Sequence, residues 1–377
     1  MASTYFTRTP GSSGSNSTFT ISVWLKKAGA SGTASGSQIL LTGGTDGGSQ
    51  SNVIYFDTSN RLGCYQGTGG QQWYTTTAKY SDINGWYHIV NTFDSTASGS
   101  DKIKLWINGV QETVFTTDNR SSFTNCQDIN QNAQNRWGSG ATANYFDGYM
   151  AQLCMADGTA YAASTFGETD YTTGEWKPKS DGEIRSAVTF GTNGCLLPFS
   201  NASYPGYDYQ TSDRSGTTND YTFNGSGFQC KSNPSNNFAV LDHNNYSNSA
   251  DISKNMCRLN TASNGWFGAC STMGFKKGFA CYFETKLTAG SKQFIGVSRT
   301  NGSGQTGDPM SNETEGTSGF DYMVRTTADD TVFLEGTNLS GTFSQATTGD
   351  IVAMSVSAAG EVKIYKNDTL QYTWSTA

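Results

Sequence analysis

Histidine is the first residue type to consider for chemistry, and this chain has only two, His88 and His243. A serine–histidine–aspartate triad would have to use one of them as its base, and no G-x-S-x-G motif accompanies them. His88 stands in the alternating segment WYHIV, on the same face as Trp86 and Val90. This pattern favours a structural His88, and we expect no enzymatic activity and no catalytic residue.

Aromatic rings beside short polar side chains are the second chemistry that the sequence offers, because ring faces stack on apolar sugar faces. Trp73 and Tyr74 stand beside two glutamines in QQWYTTT. Trp106 lies on the opposite strand face from the apolar set of KIKLWING, and Trp137 falls in QNRWGSG, a predicted loop. These four residues are candidate glycan contacts, with packing against a second sheet or another domain as the alternative for each.

The elements that would position these residues are β-strands. Hydrophobic residues make up 35% of the chain and charged residues 15%, and 44 glycines fall among turns rich in Ser, Thr and Asn. Five segments of the first half alternate between apolar and polar residues: FTISVWLKK, SNVIYFD, WYHIVNTFD, KIKLWING and YFDGYMAQLCMADG. Such alternation predicts an all-β fold of antiparallel sandwiches. No window keeps a helical period, so helices should be short.

Two hairpins on Asn-led turns indicate two sandwiches in tandem. Asn108-Gly109 follows KIKLWI and favours a type I′ turn, and Asn367-Asp368 follows EVKIYK in the same way. Residues 201–234 contain few aliphatic side chains and are interpreted as a connector with one strand at DYTFNG. We therefore predict one sandwich over residues 1–200 and a second over residues 235–377.

Charge and cysteine content argue against several classes of partner. A net charge of −7 without a basic cluster argues against nucleic acid, and no run reaches the roughly 20 apolar residues that insert into a membrane. The eight cysteines include no C-x-x-C pair, which argues against zinc. Buried free thiols are expected, with disulfides as the alternative. The first residues lack the features of a signal peptide, so we expect synthesis in a cytoplasm.

Longer segments of both halves carry family resemblances. FTISVWLKK, WYHIVNTFD, KIKLWINGV and NYFDGYMAQLCMADG resemble the strands of a laminin G-like, concanavalin A-like jelly-roll domain. SNPSNNFAVLD, FACYFETKL, FIGVSRT and GDIVAMSVSAAGEVKIYKND resemble a SPRY domain. The tandem, joined by STFGETDYTTGEWKPK and GTNGCLLPF, is similar to virion proteins of tailed phages that infect marine bacteria.

The jelly-roll resemblance raises glycoside hydrolysis, since some such domains are hydrolases. Those enzymes use two carboxylates on one strand face, and Glu168 and Asp170 in GETDYTTGEW could share a face. The stretch is rich in Gly and Thr and follows the last clear strand of the first domain. We interpret it as a connecting turn, and a polysaccharide depolymerase is the less favoured alternative.

Laminin G-like domains also often hold Ca²⁺ at a loop rim, which makes calcium the one candidate cofactor. The aspartates in or beside loops that could converge on an ion are Asp94, Asp101, Asp147 and Asp157. Calcium takes roughly six to eight oxygen ligands and no EF-hand spacing is present. Surface turns explain these aspartates equally well.

The resemblances together imply a role on a virion surface. SPRY-like domains bind partners through loops at one end, where residues 263–274 would lie, and Trp266 in that segment is a candidate anchor with core packing as its alternative. We expect a non-enzymatic fibre, tail or capsid-decorating component that binds host-surface glycans or proteins, present in multiple copies or as a homo-oligomer. The alternative is a purely structural decoration or adaptor protein that contacts other virion subunits. Either is made in the host bacterial cytoplasm and resides on the virion.

Overall fold

The structure of the chain is a computed structural model that describes residues 4–28, 37–44, 52–67, 71–140, 144–216, 218–227, 229–246, 250–253, 256–261, 269–276, 278–289, 294–297, 322–325, 331–334 and 337–374. Within these residues the one α-helix is α1 (Asp181–Ala187), so the prediction of an all-β fold with short helices is confirmed. None of the helical segments described has the length and hydropathy needed to cross a membrane. The chain divides into two compact units, residues 1–240 with 254–257 (unit 1) and residues 241–253 with 258–377 (unit 2).

Unit 1 contains the following strands: β1 (Tyr5–Arg8), β2 (Thr18–Lys27), β3 (Gln38–Gly43), β4 (Asn52–Phe56), β5 (Leu62–Gln66), β6 (Gln71–Thr76), β7 (Tyr87–Asp94), β8 (Ile103–Ile107), β9 (Val110–Gln111), β10 (Phe115–Asp118), β11 (Asn135–Trp137), β12 (Gly148–Asp157), β13 (Gly167–Thr169), β14 (Trp176–Pro178), β15 (Cys195–Leu197) and β16 (Thr222–Asn224). An eight-stranded sheet has the order β10-β6-β5-β4-β3-β11-β1-β16, and a six-stranded sheet has the order β15-β12-β2-β7-β8-β9. Short 3-10 helices span Gly99–Lys102, Arg120–Ser122 and Ala163–Thr165.

Alternating apolar residues of the two sheets form the main core of unit 1. In the six-stranded sheet β2 pairs with β7 from Thr18 opposite Asp94 to Leu25 opposite Tyr87. The cross-strand neighbours Phe19 and Phe93 are both fully buried, with their rings stacked at 4.5 Å. Each such ring contributes about 2 kcal/mol by leaving water. The buried free thiols are Cys64, Cys126, Cys154 and Cys195.

The other face of the six-stranded sheet is covered by residues that follow β12. Phe166, Ile184 and Phe190 pack there in a second buried cluster with Val90. Helix α1 carries one of these side chains, and it begins with a capping box between Ser180 and Glu183. The six-stranded sheet of unit 1 is therefore packed on both faces.

Residues 201–234, which the sequence led us to interpret as a connector, lie within unit 1. The strand expected at DYTFNG is β16, and it pairs with β1 as an edge of the eight-stranded sheet. The buried carboxylate of Asp208 accepts hydrogen bonds from the backbone of Leu196 (2.8 Å) and of Asn219 (2.8 Å). Polar contacts therefore hold a segment that has few aliphatic side chains for hydrophobic packing.

Unit 2 has a core of its own and the following strands: β17 (Leu241–Tyr246), β18 (Ala250–Ser253), β19 (Arg258–Thr261), β20 (Ala269–Ser271), β21 (Cys281–Lys286), β22 (Phe294–Val297), β23 (Tyr322–Arg325), β24 (Thr331–Leu334), β25 (Thr337–Thr342), β26 (Ile351–Val356), β27 (Val362–Lys366) and β28 (Thr369–Trp374). Two four-stranded sheets have the orders β21-β26-β27-β28 and β22-β23-β24-β25. The core includes Val332, Phe343 and Met354, all fully buried.

Both Asn-led turns predicted from the sequence are present. Asn108 and Gly109 join β8 to β9 with φ values of 49° and 79°, and Asn367 and Asp368 join β27 to β28 with φ values of 46° and 63°. All four values lie in the left-handed region that a type I′ turn requires.

Candidate functional site

The aromatic residues predicted to contact a glycan are mostly core residues, which is a correction. Trp73 is 2% exposed and Tyr74 fully buried. Residue 73 is the extra residue of a β-bulge between β5 and β6, because Cys64 pairs with Tyr74 and the next pair skips position 73. The bulge turns two consecutive rings inward, so neither presents a face to solvent.

The other three predicted aromatic contacts have different outcomes. Trp137 is 1% exposed and belongs to β11, between β3 and β1, where the sequence had predicted a loop. Trp106 is half-buried and packs against the second cluster on the outer face of the six-stranded sheet. Trp266 lies outside the described residues.

The four aspartates proposed as calcium ligands serve separate local contacts. Asp94 accepts from Thr96, Asp101 pairs with Lys104, and Asp147 interacts electrostatically with Lys27. Throughout the described ranges, no three His, Cys, Asp or Glu side chains come together as metal ligands would.

Asp157 is the most enclosed of the four, at 7% exposure. Its oxygens accept from the backbone of Ser15 (2.7 Å), Thr192 (3.2 Å) and Asn193 (3.1 Å) and from Asn130 Nδ2 (2.6 Å). Four N–H donors therefore surround the carboxylate where a cation would need to approach, and Asp157 ties three loops together.

His88 is fully buried and bonded at both ring nitrogens. Trp176 Nε1 donates to His88 Nδ1 (2.9 Å), so the ring proton is on Nε2, which donates to Ser22 Oγ (2.8 Å). A general base would have to accept from the serine hydroxyl, which is the opposite polarity. Burial lowers the pKa of His88 to about 3, so the ring is neutral at physiological pH.

The hairpin of β13 and β14 contacts this histidine through Trp176. We call residues 167–178 the tyrosine hairpin. The ring of Trp176 lies against the Cα atoms of Gly109 and Gly167, where an added Cβ would come within 2.5 Å and 2.7 Å of it. Trp176 is also bonded to His88, so the hairpin is fixed to the six-stranded sheet.

The turn of the tyrosine hairpin directly precedes Trp176 and is ordered by Asp170. Its Oδ1 accepts from the backbone of Thr172 (2.8 Å) and Thr173 (3.0 Å), and its Oδ2 accepts from Lys177 Nζ (3.1 Å). These backbone hydrogen bonds and the Lys177 contact lower the pKa of Asp170 to about 2. Lys177 Nζ also pairs with Glu168 at 3.5 Å, so the two carboxylates considered for hydrolysis share one ammonium group.

Tyr171 stands at the tip of this ordered turn and is 98% exposed. The residue types Asp-x-Thr-Thr-Gly could have indicated an Asx turn in the sequence. What the sequence did not indicate is the anchoring of the hairpin by Trp176, since its partner His88 stands 88 positions earlier. The arrangement can present one aromatic ring, with hydroxyls of two threonines beside it, on a fixed backbone.

Comparison with known proteins agrees with the architecture of unit 1. Residues 2–164 match the model of the concanavalin A-like lectin/glucanases superfamily, and the fold of this part is the laminin G-like, concanavalin A-like jelly roll. No curated protein sequence matches the chain.

Solved structures with some similarity include a heptameric SAP-like pentraxin from Limulus polyphemus (10% identity, TM-score 0.31, 42% of this chain and 71% of that one). They also include Trypanosoma rangeli sialidase in complex with the inhibitor DANA (12%, TM-score 0.28, 40% of this chain and 22% of that one). The LG1-3 region of the laminin alpha2 chain aligns with 98% of this chain and 53% of its own, at 8% identity and a TM-score of 0.35. This chain thus spans about a fifth of the sialidase and about half of the laminin fragment.

Proposed function

We propose that this chain is a non-enzymatic recognition protein that binds a glycan through the tyrosine hairpin. The observation that carries the proposal is the 98% exposure of Tyr171 on a turn fixed by Asp170 at one end and Trp176 at the other. An aromatic side chain on a preordered loop loses little conformational entropy on binding. Such a residue is a suitable anchor for the apolar face of a sugar.

The ionisation of the hairpin supports binding over hydrolysis. The matched superfamily is named for both lectins and glucanases, and a glucanase needs a carboxylic acid whose pKa is raised so that it can donate a proton. Asp170 has the opposite shift, to a pKa of about 2. Its contact with Lys177 stabilises the carboxylate form, which cannot act as a general acid.

We further propose that the protein is displayed in many copies on a virion, as the sequence resemblance of the tandem domains implies. A single exposed ring gives a weak contact, and multiple copies would raise the overall affinity by avidity. The partners on this proposal are bacterial surface glycans.

An array of bacterial surface glycans, probed with the full chain clustered on beads, tests this function. Loss of a stacking contact costs about 1 kcal/mol, so Tyr171→Ala should weaken binding by roughly fivefold per site. Tyr282→Ala, at a 56% exposed tyrosine of unit 2, is the matched control and should bind normally. Binding that survives Tyr171→Ala, or a wild-type chain that binds no glycan on the array, would contradict the proposal.

A second candidate function, contact with neighbouring virion subunits, is favoured by one edge of the six-stranded sheet. Val110 in the edge strand β9 is 72% exposed, and Val114 just beyond it is 60% exposed. Exposed apolar side chains at a sheet edge are typical of association sites. Protection of residues 108–116 from hydrogen exchange on assembly into particles would support this function, and unchanged exchange would argue against it.

A further inference from the structure

Lys27, the last residue of β2, is a buried lysine of unit 1. It is 1% exposed. Its Nζ lies 4.6 Å from the centroid of the Phe56 ring and contacts Asn60 Oδ1. Because Cγ is bonded to Oδ1, this contact places the amine beside the carboxamide carbon of Asn60.

Asp147 is a partly buried carboxyl group that interacts electrostatically with Lys27. Its neighbour Gly148 pairs with Lys27 between β12 and β2, and the backbone N–H of Ala28 donates to Asp147 O (3.1 Å). Burial raises the pKa of Asp147, which the charge of Lys27 partly offsets. Asp57 is the other carboxylate that interacts electrostatically with Lys27. It forms a salt bridge with Arg61, in which Asp57 Oδ2 lies 2.7 Å from Arg61 Nη2.

The amine is also prepared for nucleophilic attack. Burial lowers the pKa of Lys27 to about 8, against the opposing effects of Asp147 and Asp57. Roughly one amine in ten is then uncharged at pH 7, compared with about one in 2,500 for an ordinary lysine. Uncharged amine is the form that attacks a carbonyl carbon.

We propose that Lys27 and Asn60 form an intramolecular amide bond, assisted by Asp147, that joins the two sheets of unit 1 covalently. The lone pair of Nζ forms the Nζ–Cγ bond, and the carbonyl electron pair moves to Oδ1. When that pair returns, the Cγ–Nδ2 bond breaks and Nδ2 leaves with its electron pair. Asp147 takes one proton from Nζ and passes it to Nδ2, so ammonia is released and Asp147 returns to its starting state.

The location gives the bond a mechanical consequence. Lys27 ends a strand of the six-stranded sheet, whereas Asn60 lies in the turn between β4 and β5 of the eight-stranded sheet. A covalent link between facing sheets restricts the unfolded chain, as other cross-links do. A protein exposed on a particle would resist forced separation of its sheets.

The neighbouring residue Lys26 provides a matched control within the same strand. It is also 1% exposed, and its Nζ donates to Asn237 Oδ1 at 2.9 Å. Both polar atoms of the Asn237 carboxamide make further hydrogen bonds. Asn237 Oδ1 also accepts from Ser232 Oγ (3.2 Å), and Asn237 Nδ2 donates to Asn84 O (2.8 Å). The proposal assigns the covalent bond to Lys27 and not to Lys26.

Mass spectrometry of the full chain tests the proposal. The denatured wild-type protein should have a mass lower than its sequence mass by one ammonia, and digestion should yield a branched peptide that contains Lys27 and Asn60. Lys27→Arg and Asn60→Ala should each restore the sequence mass, whereas Lys26→Arg should keep the loss. Asp147→Ala should leave most molecules unlinked, and Asp147→Glu should restore linking.

The branched peptide is the decisive readout, because succinimide formation at a step such as Asn108–Gly109 also releases ammonia without branching. A folded wild-type chain at the full sequence mass would overturn the proposal, and this measurement needs no variant. A branch that maps to Lys26 and Asn237 would overturn it too. Full linking in Asp147→Ala would remove the assigned role of that carboxyl.

Discussion

The turn Asn108–Gly109 of unit 1 and the turn Asn367–Asp368 of unit 2 make the same pair of hydrogen bonds to a strand outside their own hairpin. Asn108 N donates to His88 O (2.9 Å) and Asn108 Oδ1 accepts from His88 N (2.7 Å). Asn367 N donates to Ile351 O (2.9 Å) and Asn367 Oδ1 accepts from Ile351 N (2.9 Å). In each unit the turn asparagine therefore fixes the start of the neighbouring strand, β7 or β26, as well as turning the chain.

The second turn residue is where the two hairpins differ. Gly109 lies under the ring of Trp176, and an added Cβ would come within 2.5 Å of that ring. Asp368 is exposed. The glycine of unit 1 is therefore required by a tertiary contact, through which the turn supports the tyrosine hairpin. The turn of unit 2 requires only a residue that tolerates a positive φ.

The largest difference in stability between the two turns should come from substitution of the second turn residue. Gly109→Ala combines the cost of a left-handed alanine with overpacking against Trp176, so unit 1 should lose about 3 kcal/mol of unfolding free energy. Denaturant unfolding followed by hydrogen exchange of peptides from each unit measures this. Exchange should also increase over residues 167–178.

Asp368→Gly is the matched control for that substitution. Relief of the left-handed side chain and the greater freedom of unfolded glycine nearly cancel, so unit 2 should change by less than about 0.5 kcal/mol. A small effect at Gly109, comparable to that at Asp368, would show that Trp176 does not depend on the turn.

The next largest difference between the two units should be in how their stability depends on acid pH. The unfolded chain protonates His88 with a pKa of 6.5, but folded unit 1 keeps it neutral down to a pKa of about 3 because of burial. The stabilising contribution is thus complete above pH 6.5 and decreases as the pH falls from 6.5 towards 3. By pH 5 the loss should be on the order of 2 kcal/mol.

In unit 2 the group with a lowered pKa is Asp350, and it titrates over a lower range of pH than His88. Backbone N–H of Thr347, Asn367 Nδ2 and Lys366 lower the pKa of Asp350 from 3.8 to about 2. Its contribution is present above pH 3.8 and is lost as the pH falls towards 2. Hydrogen exchange between pH 7 and 4 should therefore show unit 1 opening first. His88→Gln should be less stable at pH 7 but show a flatter dependence on pH, and an unchanged slope would exclude His88 as the cause.

The sequence predicted the elements of this comparison better than the contacts between them. Alternation and the Asn-led turns were sufficient to predict both hairpins, because these signals are local. Trp73 and Tyr74 were predicted to contact a glycan because they stand beside polar residues in QQWYTTT. That local pattern does not reveal the bulge that turns both rings inward. The contacts of Trp176 with His88 and of Lys27 with Asn60 join residues far apart in the chain, and no local pattern specifies such pairs.

The smallest expected difference concerns the turn asparagines themselves. Asn→Gly keeps the left-handed backbone and removes the side-chain acceptor at both turns. At Asn367 it also removes the Nδ2 donor to Asp350 Oδ1 (2.8 Å). At Asn108 the donor left behind is the backbone N–H of the fully buried His88, so Asn108→Gly should cost about 1 to 2 kcal/mol. At Asn367 the bonds to Ile351 N and to Asp350 Oδ1 are both exposed, and water can replace both, so Asn367→Gly should cost about 0.5 kcal/mol. Thermal unfolding of the two variants, with hydrogen exchange in β7 and β26, measures the difference. Equal losses of unfolding free energy in the two variants would contradict the role given to the buried donor. The contact of Gly109 with Trp176 would then be the remaining difference between the two turns.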